Sequence, residues 1–306
     1  MKNLSQMAIA IILVVLSVTI YSCKKDTQPE FYLRGGNSLL QASESNLLIA
    51  GYNTVASKGF DATLISTDMQ GNVLKSSTYG GINMDAFYSV CKCRNGGFVA
   101  TGFSNSTSYG SPHMMVVLAD ADLGQTAMKT YGSSDESQGF SVIPSADSGY
   151  LVAGYILKPA SDNRDIYLVR INNTGNTIWE KRYGANSTKI SDTINDEAYS
   201  IISAPDGGYF LTGSLQGYTS CCCKIFLMKI AANGDSLWTK TYDHGIGYSL
   251  TLTSDGGIAI SGSVQQTSNS DIILIKTTLE GVKLWSKTFA MAGYDYCAKL
   301  VQSTYG

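Results

Sequence analysis

The sequence is short of proline, charge and histidine. Only 5 of its 306 residues are proline, 15% are charged and 2 are histidine, whereas 44% are apolar. Little charge combined with many apolar residues is typical of a globular chain and argues against intrinsic disorder. The net charge is −2 and no basic stripe is present to neutralise phosphates, which argues against nucleic-acid binding.

The N-terminal apolar run is too short for a membrane-spanning helix. The run consists of the 13 residues from 8 to 20 (AIAIILVVLSVTI) and follows the basic residue Lys2. A membrane-spanning helix needs about 20 apolar residues. A short apolar run behind a basic residue is typical of a secretory signal. We therefore expect the protein to be exported.

The apolar run ends in Ile20-Tyr21-Ser22-Cys23. This resembles the lipobox of bacterial lipoproteins, which implies lipidation of Cys23, an anchor in the bacterial outer membrane or cell envelope, and a membrane as partner. The alternatives are an ordinary signal peptide or an uncleaved anchor. The predicted organisation is a signal peptide at 1–22, a lipidated cysteine and tether at 23–30, and a repeat domain at 31–306.

A glycine-rich word recurs along the rest of the chain, as RNGGFVATG (94–102), ADSGYLVAG (146–154), DGGYFLTG (206–213) and SDGGIAISG (254–262). With a divergent first copy, the closing glycines are Gly51, Gly102, Gly154, Gly213 and Gly262, separated by 51, 52, 59 and 49 residues. Such a period indicates a repeat architecture. These words are not phosphate-binding loops, because an apolar strand follows each one instead of a helix.

Two further landmarks keep the same phase. Each word is preceded by a short run such as AYSI (198–201) and followed by a strand, a turn glycine and a last strand, as in DIYLVRINNTGNTIWEKRYG (165–184). Each repeat therefore supplies four β-strands, the composition of a β-propeller blade. A β-sandwich or a two-sheet solenoid is the alternative.

The last strand carries a tryptophan in three repeats, at Trp179, Trp238 and Trp285, and Leu74 and Met128 stand at this place in the first two. The segment NTGNTIWEKRYG (173–184) resembles the docking word of pyrroloquinoline-quinone-like propeller repeats. The resemblance covers about 31–306 and implies that the tryptophans dock neighbouring blades. It implies a fold, not an activity.

The two ends of the repeat domain are irregular. AKLVQSTYG (298–306) aligns with the start of another repeat, and FYLRGG (31–36) aligns with the tail of one, which would make it an outermost strand. We therefore predict five complete blades and the start of a sixth, in a chain cut short. The alternative is a closed five-bladed ring with an overhanging strand.

The sequence offers no convincing catalytic set, metal site or cofactor site. Besides Cys23 there are six cysteines, at 91, 93, 221, 222, 223 and 297, for which disulfide pairing is expected in an exported protein. A zinc site built from the Cys-x-Cys pairs is the weaker alternative, since His113 and His244 do not cluster with them. With 24 acidic residues, some carboxylate pair is always available, so a pair cannot be assigned.

Binding is best placed in the variable loops that propellers gather on one face, namely 52–60, 103–110 and 214–220, which carry tyrosine and amide side chains. The predicted function is a non-enzymatic, lipid-anchored module that binds a protein or a glycan. The alternative is a propeller enzyme, either a quinone-dependent dehydrogenase or a glycan hydrolase or lyase. Convergent carboxylates at the channel mouth would favour the enzyme.

Overall fold

The computed structural model describes residues 33–55, 59–94, 96–158, 163–184, 195–216, 223–265, 270–290, 295, 297 and 299–303. Over these residues the regular structure consists of β-strands, as the sequence predicts. No helix in the described ranges is long and apolar enough to cross a membrane.

The first three sheets each contain four consecutive antiparallel strands in chain order. The strands of the first are β1 (Leu33–Gln41), β2 (Asn46–Val55), β3 (Gly59–Asp68) and β4 (Val73–Tyr79); of the second, β5 (Asp85–Lys92), β6 (Phe98–Ser104), β7 (His113–Ala119) and β8 (Gln125–Tyr131); of the third, β9 (Ser137–Pro144), β10 (Tyr150–Lys158), β11 (Asn163–Ile171) and β12 (Thr177–Tyr183).

The remaining strands form one seven-stranded sheet. They are β13 (Glu197–Ser203), β14 (Tyr209–Gln216), β15 (Cys223–Ile230), β16 (Ser236–Leu252), β17 (Ile258–Gln265), β18 (Ser270–Thr277) and β19 (Lys283–Phe289). The first part of the 17-residue strand β16 pairs with β15 and the second part pairs with β17. β16 is therefore the outer strand of a fourth blade and the inner strand of a fifth, without a break.

The core consists of four apolar clusters, each between two consecutive blades. In β11, Tyr167 and Val169 face the second blade, and Ile166 and Leu168 face the fourth. A blade that is apolar on both faces must be covered on both, which is how propeller blades stack. The prediction of an all-β fold built from stacked, four-stranded propeller blades is therefore confirmed. Among the described residues, none of these clusters joins the fifth blade to the first.

The N-terminal end differs from the prediction. The described part of FYLRGG, residues 33–36, opens β1 and pairs with β2, so that Gly36 lies opposite Gly51. It is therefore not an outermost strand of another blade. A bulge after Gly36 lets the same strand continue along β2 from Ser38 to Gln41, and the two segments form one inner strand.

Candidate functional site

Each blade has a β-bulge in its inner strand. In the second to fifth blades, the extra residue of the bulge is aromatic and has no partner on the second strand. We call these four residues the aromatic row: Tyr88, Phe140, Tyr199 and Tyr248. A bulge redirects the side chain of the extra residue. The ring centroids follow one another at 5.4, 4.8 and 5.4 Å, and each ring is partly exposed. The row therefore runs from blade to blade along the inner strands.

The five repeat glycines lie on the second strands, opposite these bulges. A Cβ atom at any of them would overlap a backbone carbonyl oxygen of the inner strand, for example that of Ala86 at Gly102 and that of Glu197 at Gly213. A Cβ atom on Gly51, Gly154 or Gly262 would overlap an inner-strand carbonyl oxygen in the same way. The glycines thus allow the bulge, and the bulge places the aromatic row.

The serines that follow three of the four aromatic residues accept hydrogen bonds from the next segment of the stack. Val142 N–H donates to Ser89 Oγ (3.2 Å), and Ile201 N–H donates to Ser141 Oγ (3.4 Å). Leu300 N–H donates to Ser249 Oγ (3.0 Å) in the same way. Residues 299–303 therefore lie against the fifth blade where an inner strand of a further blade would lie.

The three tryptophans lie on the outer strands. A Cβ atom on Gly234 would be 2.9 Å from the Trp179 ring, and one on Gly281 would be 2.9 Å from the Trp238 ring. Each of these rings thus packs on the turn glycine of the next blade. Trp285, on the fifth blade, is 47% exposed.

At the loop end of the third and fourth blades, two carboxylates meet one guanidinium, which we call the Glu–Arg–Glu cluster (Glu136, Arg164 and Glu197). Arg164 Nη1 is 2.6 Å from Glu197 Oε1, and Nη2 is 3.9 Å from Glu136 Oε1. Tyr155 donates a hydrogen bond to Glu136 (2.9 Å), and Tyr199 of the aromatic row donates one to Glu197. The guanidinium carbon lies 4.3 Å from the centre of the Tyr155 ring.

Three strand ends bring these groups together. Glu136 immediately precedes β9, and its carbonyl accepts from Leu157 N–H at the end of β10 (2.7 Å). Arg164 is the second residue of β11, and its carbonyl accepts from Asp196 N–H (2.8 Å), which places Glu197 at the first position of β13. The cluster is thus held by the backbone of two blades.

The electrostatics of the cluster favour protonated tyrosines and charged arginine. Burial, followed by the neighbouring carboxylates, raises the pKa of Tyr155 and Tyr199 well above the usual range. Burial lowers the pKa of Arg164, but the hydrogen bond to Glu197 and the charges of Glu197 and Glu136 outweigh burial, so that the pKa of Arg164 is raised. The cluster therefore offers hydroxyl donors and carboxylate acceptors side by side.

The cluster is partly open to solvent. The side chains of Arg164 and Glu136 are 36% and 26% exposed, whereas that of Glu197 is 7% exposed. The loops predicted to bind a ligand connect the second and third strands of their blades, and so lie at the same end of the sheets as the cluster. Of these loops, residues 56–58 and 217–220 lie outside the described residues.

In the sequence, residues of the cluster stand out because they differ from the residues at the same repeat positions in other blades. Glu197 occupies the place of Ala86, Gln138 and Ile246 in the other blades, and Arg164 occupies that of Pro112. Glu197 stands at the end of an insertion that lengthens the third repeat, whereas the segment before Arg164 is no longer than its counterparts in the second and fourth repeats. Sequence analysis identified none of the three residues as functional.

The cysteine prediction needs correction. Cys91, Cys93 and Cys297 carry free thiols, because none of them has a sulfur partner. Cys91 and Cys93 instead pack beside the core between the second and third blades, and burial raises the pKa of both. Cys23, Cys221 and Cys222 lie outside the described residues. No group of three or more metal-ligating side chains occurs within the described ranges.

The histidines are far apart in the fold. His113 is buried in β7, with Nδ1 2.8 Å from the carbonyl oxygen of Ser111, and the exposed Tyr109 ring stacks on it. His244 is an exposed residue of β16, opposite Lys224. Neither belongs to the Glu–Arg–Glu cluster.

No protein-family model matches the sequence, and no curated protein matches it either. Solved structures do match. One is a polysaccharide lyase, an ulvan lyase bound to an oligosaccharide, with a TM-score of 0.52, 9% identity, and coverage of 87% of this chain and 72% of that one. Another is an endo-arabinase from Bacteroides thetaiotaomicron (TM-score 0.46, 12% identity, coverage 85% and 96%).

A third match is an exo-β-1,3-galactanase from Phanerochaete chrysosporium, solved with galactotriose (TM-score 0.47, 12% identity, coverage 85% and 65%). At such identities these similarities show the fold. The main prediction, a non-enzymatic binding module, is wrong: the matched structure above with a TM-score over 0.5 is a polysaccharide-cleaving lyase.

Proposed function

We propose that this protein is a propeller-type enzyme that cleaves glycosidic bonds at the Glu–Arg–Glu cluster. The observation that carries the proposal is the convergence of Glu136 and Glu197 on Arg164, each with a tyrosine hydroxyl bonded to it. Cleavage of a glycosidic bond needs a proton donor and a proton acceptor on either side of one bond. Two carboxylates held by one guanidinium supply such a pair.

The surroundings suit a sugar. Phe140 lies 4.8 Å from Tyr199 and 5.8 Å from Tyr155, so an aromatic wall adjoins the polar cluster. Carbohydrate sites combine apolar ring faces with a few oriented polar groups. The ulvan lyase, which shares this fold, was solved with an oligosaccharide bound.

The test uses two variants that keep size and remove charge, Glu136→Gln and Glu197→Gln. Each should reduce the cleavage rate at least about 100-fold, because general acid–base catalysis contributes about 10²–10⁴. Release of reducing ends from a polysaccharide panel is the measurement.

Glu180→Gln is the matched control, since Glu180 also accepts a hydrogen bond from a tyrosine, Tyr167, but lies on the outer strand β12 away from Arg164. It should leave the rate unchanged. Full activity in both cluster variants would overturn the proposal.

We also propose that Cys23 carries a lipid anchor and that the protein is held at the cell envelope. The support is the apolar run at 8–20 and the lipobox-like end at Cys23. Cys23→Ala should release the protein from membranes and lower its mature mass by the lipid. Unchanged partitioning and mass would contradict the anchor.

For the blade number, we propose five consecutive blades with the described residues 299–303 at the start of a sixth. The support is the Leu300 to Ser249 hydrogen bond, which repeats those between earlier blades. An experimental structure tests this proposal. A fifth blade packed directly on the first would contradict it.

A further inference from the structure

We infer that the proposed site hydrolyses a neutral glycan and does not act by elimination on a uronate-containing one. This inference rests on the proposed function and names its substrate class and reaction. Both reactions cleave glycosidic bonds, but they need different groups. Elimination needs a group that neutralises the uronate carboxylate, whereas hydrolysis needs one carboxylic acid and one carboxylate.

The only cation in the cluster is already engaged. The guanidinium of Arg164 faces Glu197 at 2.6 Å and Glu136 at 3.9 Å, and its plane lies over the Tyr155 ring. To neutralise a uronate, Arg164 would have to leave a carboxylate that is itself mostly buried. Breaking such a pair leaves an uncompensated buried charge, which is unfavourable.

The surroundings are also negative. Asp165 follows Arg164 and Asp196 precedes Glu197, and both are buried. Together with Glu197 they are three acidic residues in the two segments that carry the cluster. An anionic sugar meets a field of its own sign, which weakens its binding and slows its association.

The tyrosines are unsuited to be the base of an elimination. That base removes the C–H proton next to the uronate carboxylate, after which the C–O bond to the leaving sugar breaks and a C=C bond forms. Tyr155 and Tyr199 instead keep their protons and donate hydrogen bonds to Glu136 and Glu197, and burial, the largest cause, raises the pKa of both tyrosines. Phenolate is therefore the disfavoured form.

Hydrolysis uses the same groups as they stand. Glu136, with the longer contact to Arg164, is the general acid: its carboxyl proton passes to the glycosidic oxygen as the bond from that oxygen to the anomeric carbon breaks. Glu197, which contacts Arg164 and accepts a hydrogen bond from Tyr199, is the general base and takes a proton from the water that adds to the anomeric carbon. One water is consumed, one new reducing end and one new hydroxyl form, and no co-reactant is needed.

The experiment incubates the full chain in oxygen-18 water with a neutral panel (galactan, arabinan, glucan) and an acidic panel (polygalacturonate, alginate). We expect cleavage of a neutral polymer with oxygen-18 in the new reducing end by mass spectrometry. Unsaturated uronate products from the acidic panel, seen by ultraviolet absorbance, would overturn this inference but leave the proposed function intact. No cleavage of either panel would overturn the proposed function, and the inference with it.

A binding measurement tests the effect of ligand charge without requiring catalysis. Glu197→Gln should strengthen the binding of an oligogalacturonate by about tenfold, because the guanidinium of Arg164 loses its closest anionic partner, and leave a neutral oligosaccharide within about twofold. Glu180→Gln should change neither affinity. Tight binding of the oligogalacturonate by the unaltered protein, comparable to that of the neutral ligand, would overturn the inference.

Discussion

At the scale of single residues, close contact with the backbone of the inner strand, rather than a turn conformation, explains why glycine is needed at the repeat positions. Gly102 faces the carbonyl of Ala86 across the bulge, where a methyl group would overlap backbone atoms. Gly102→Ala should therefore lower the free energy of unfolding by about 1–3 kcal/mol, the usual cost of overpacking. Urea denaturation followed by circular dichroism measures it.

The control for this prediction is Gly96→Asn. Gly96 has a φ of +88° and open space around it, and asparagine tolerates that conformation. Its unfolding free energy should stay within about 0.5 kcal/mol of the parent. Equal losses in both variants would show that the carbonyl contact is not the cause.

An acidic residue in the first hairpin turn of the fifth blade controls part of the acid stability. Asp255 Oδ1 is 2.6 Å from the buried ammonium of Lys276, and the hydrogen bond from Lys276, followed by that from Thr253, lowers the pKa of Asp255 from 3.8 to about 2. Because the folded-state pKa is the lower one, the stabilisation is present above about pH 4 and is lost as the pH falls through about 2.

The prediction is that Asp255→Asn lowers stability at neutral pH but flattens the loss of unfolding free energy between pH 4 and 2. Glu44→Gln, a change at an exposed residue of the turn after β1, should leave the parent profile intact. Denaturation at a series of pH values measures both. An Asp255→Asn profile as steep as that of the parent would contradict the assignment.

At the scale of strands and turns, tyrosines at the ends of outer strands connect the blades. The hydroxyl groups of Tyr79, Tyr131 and Tyr242 donate to carbonyls in the third-to-fourth strand turn of the next blade at 2.7, 2.7 and 2.9 Å. The fifth blade has Phe289 in that place. The hydroxyl is present where a described neighbouring turn can accept it.

Tyr131→Phe should therefore cost about 1 kcal/mol, the net value of one hydrogen bond. Phe289→Tyr should change stability by less than about 0.5 kcal/mol, since the structure describes no turn that would receive the new hydroxyl. Thermal unfolding compares the two. A marked gain from Phe289→Tyr would mean that another blade covers β19.

The four strands per repeat were predictable from the sequence, because alternating apolar residues and turn glycines are local signals. The Glu–Arg–Glu cluster was not, because Glu136, Arg164 and Glu197 lie in three separate segments and meet only when two blades stack. The error about residues 33–36 has a different cause: a bulge that joins two short runs into the single strand β1 has no local sequence signal.

At the scale of the whole molecule, the tryptophans on the outer strands of the fourth and fifth blades are covered to different extents. Trp238 packs on the turn of the fifth blade, whereas Trp285 is 47% exposed. Trp238→Ala should cost about 2 kcal/mol and Trp285→Ala less than about 1 kcal/mol, because a large-to-small change is costly only where neighbours cover the ring. Urea denaturation measures both, and equal losses would show that Trp285 is covered.

Strand β16 also carries a consequence for folding. Stacked repeats ordinarily open one at a time from an end, since each contacts only its neighbours. The fourth and fifth blades share an unbroken 17-residue backbone, so the inner strand of one cannot detach without disturbing the outer strand of the other. These two blades therefore form one cooperative unit, and fraying from the C-terminal side of the stack proceeds in a step of two blades.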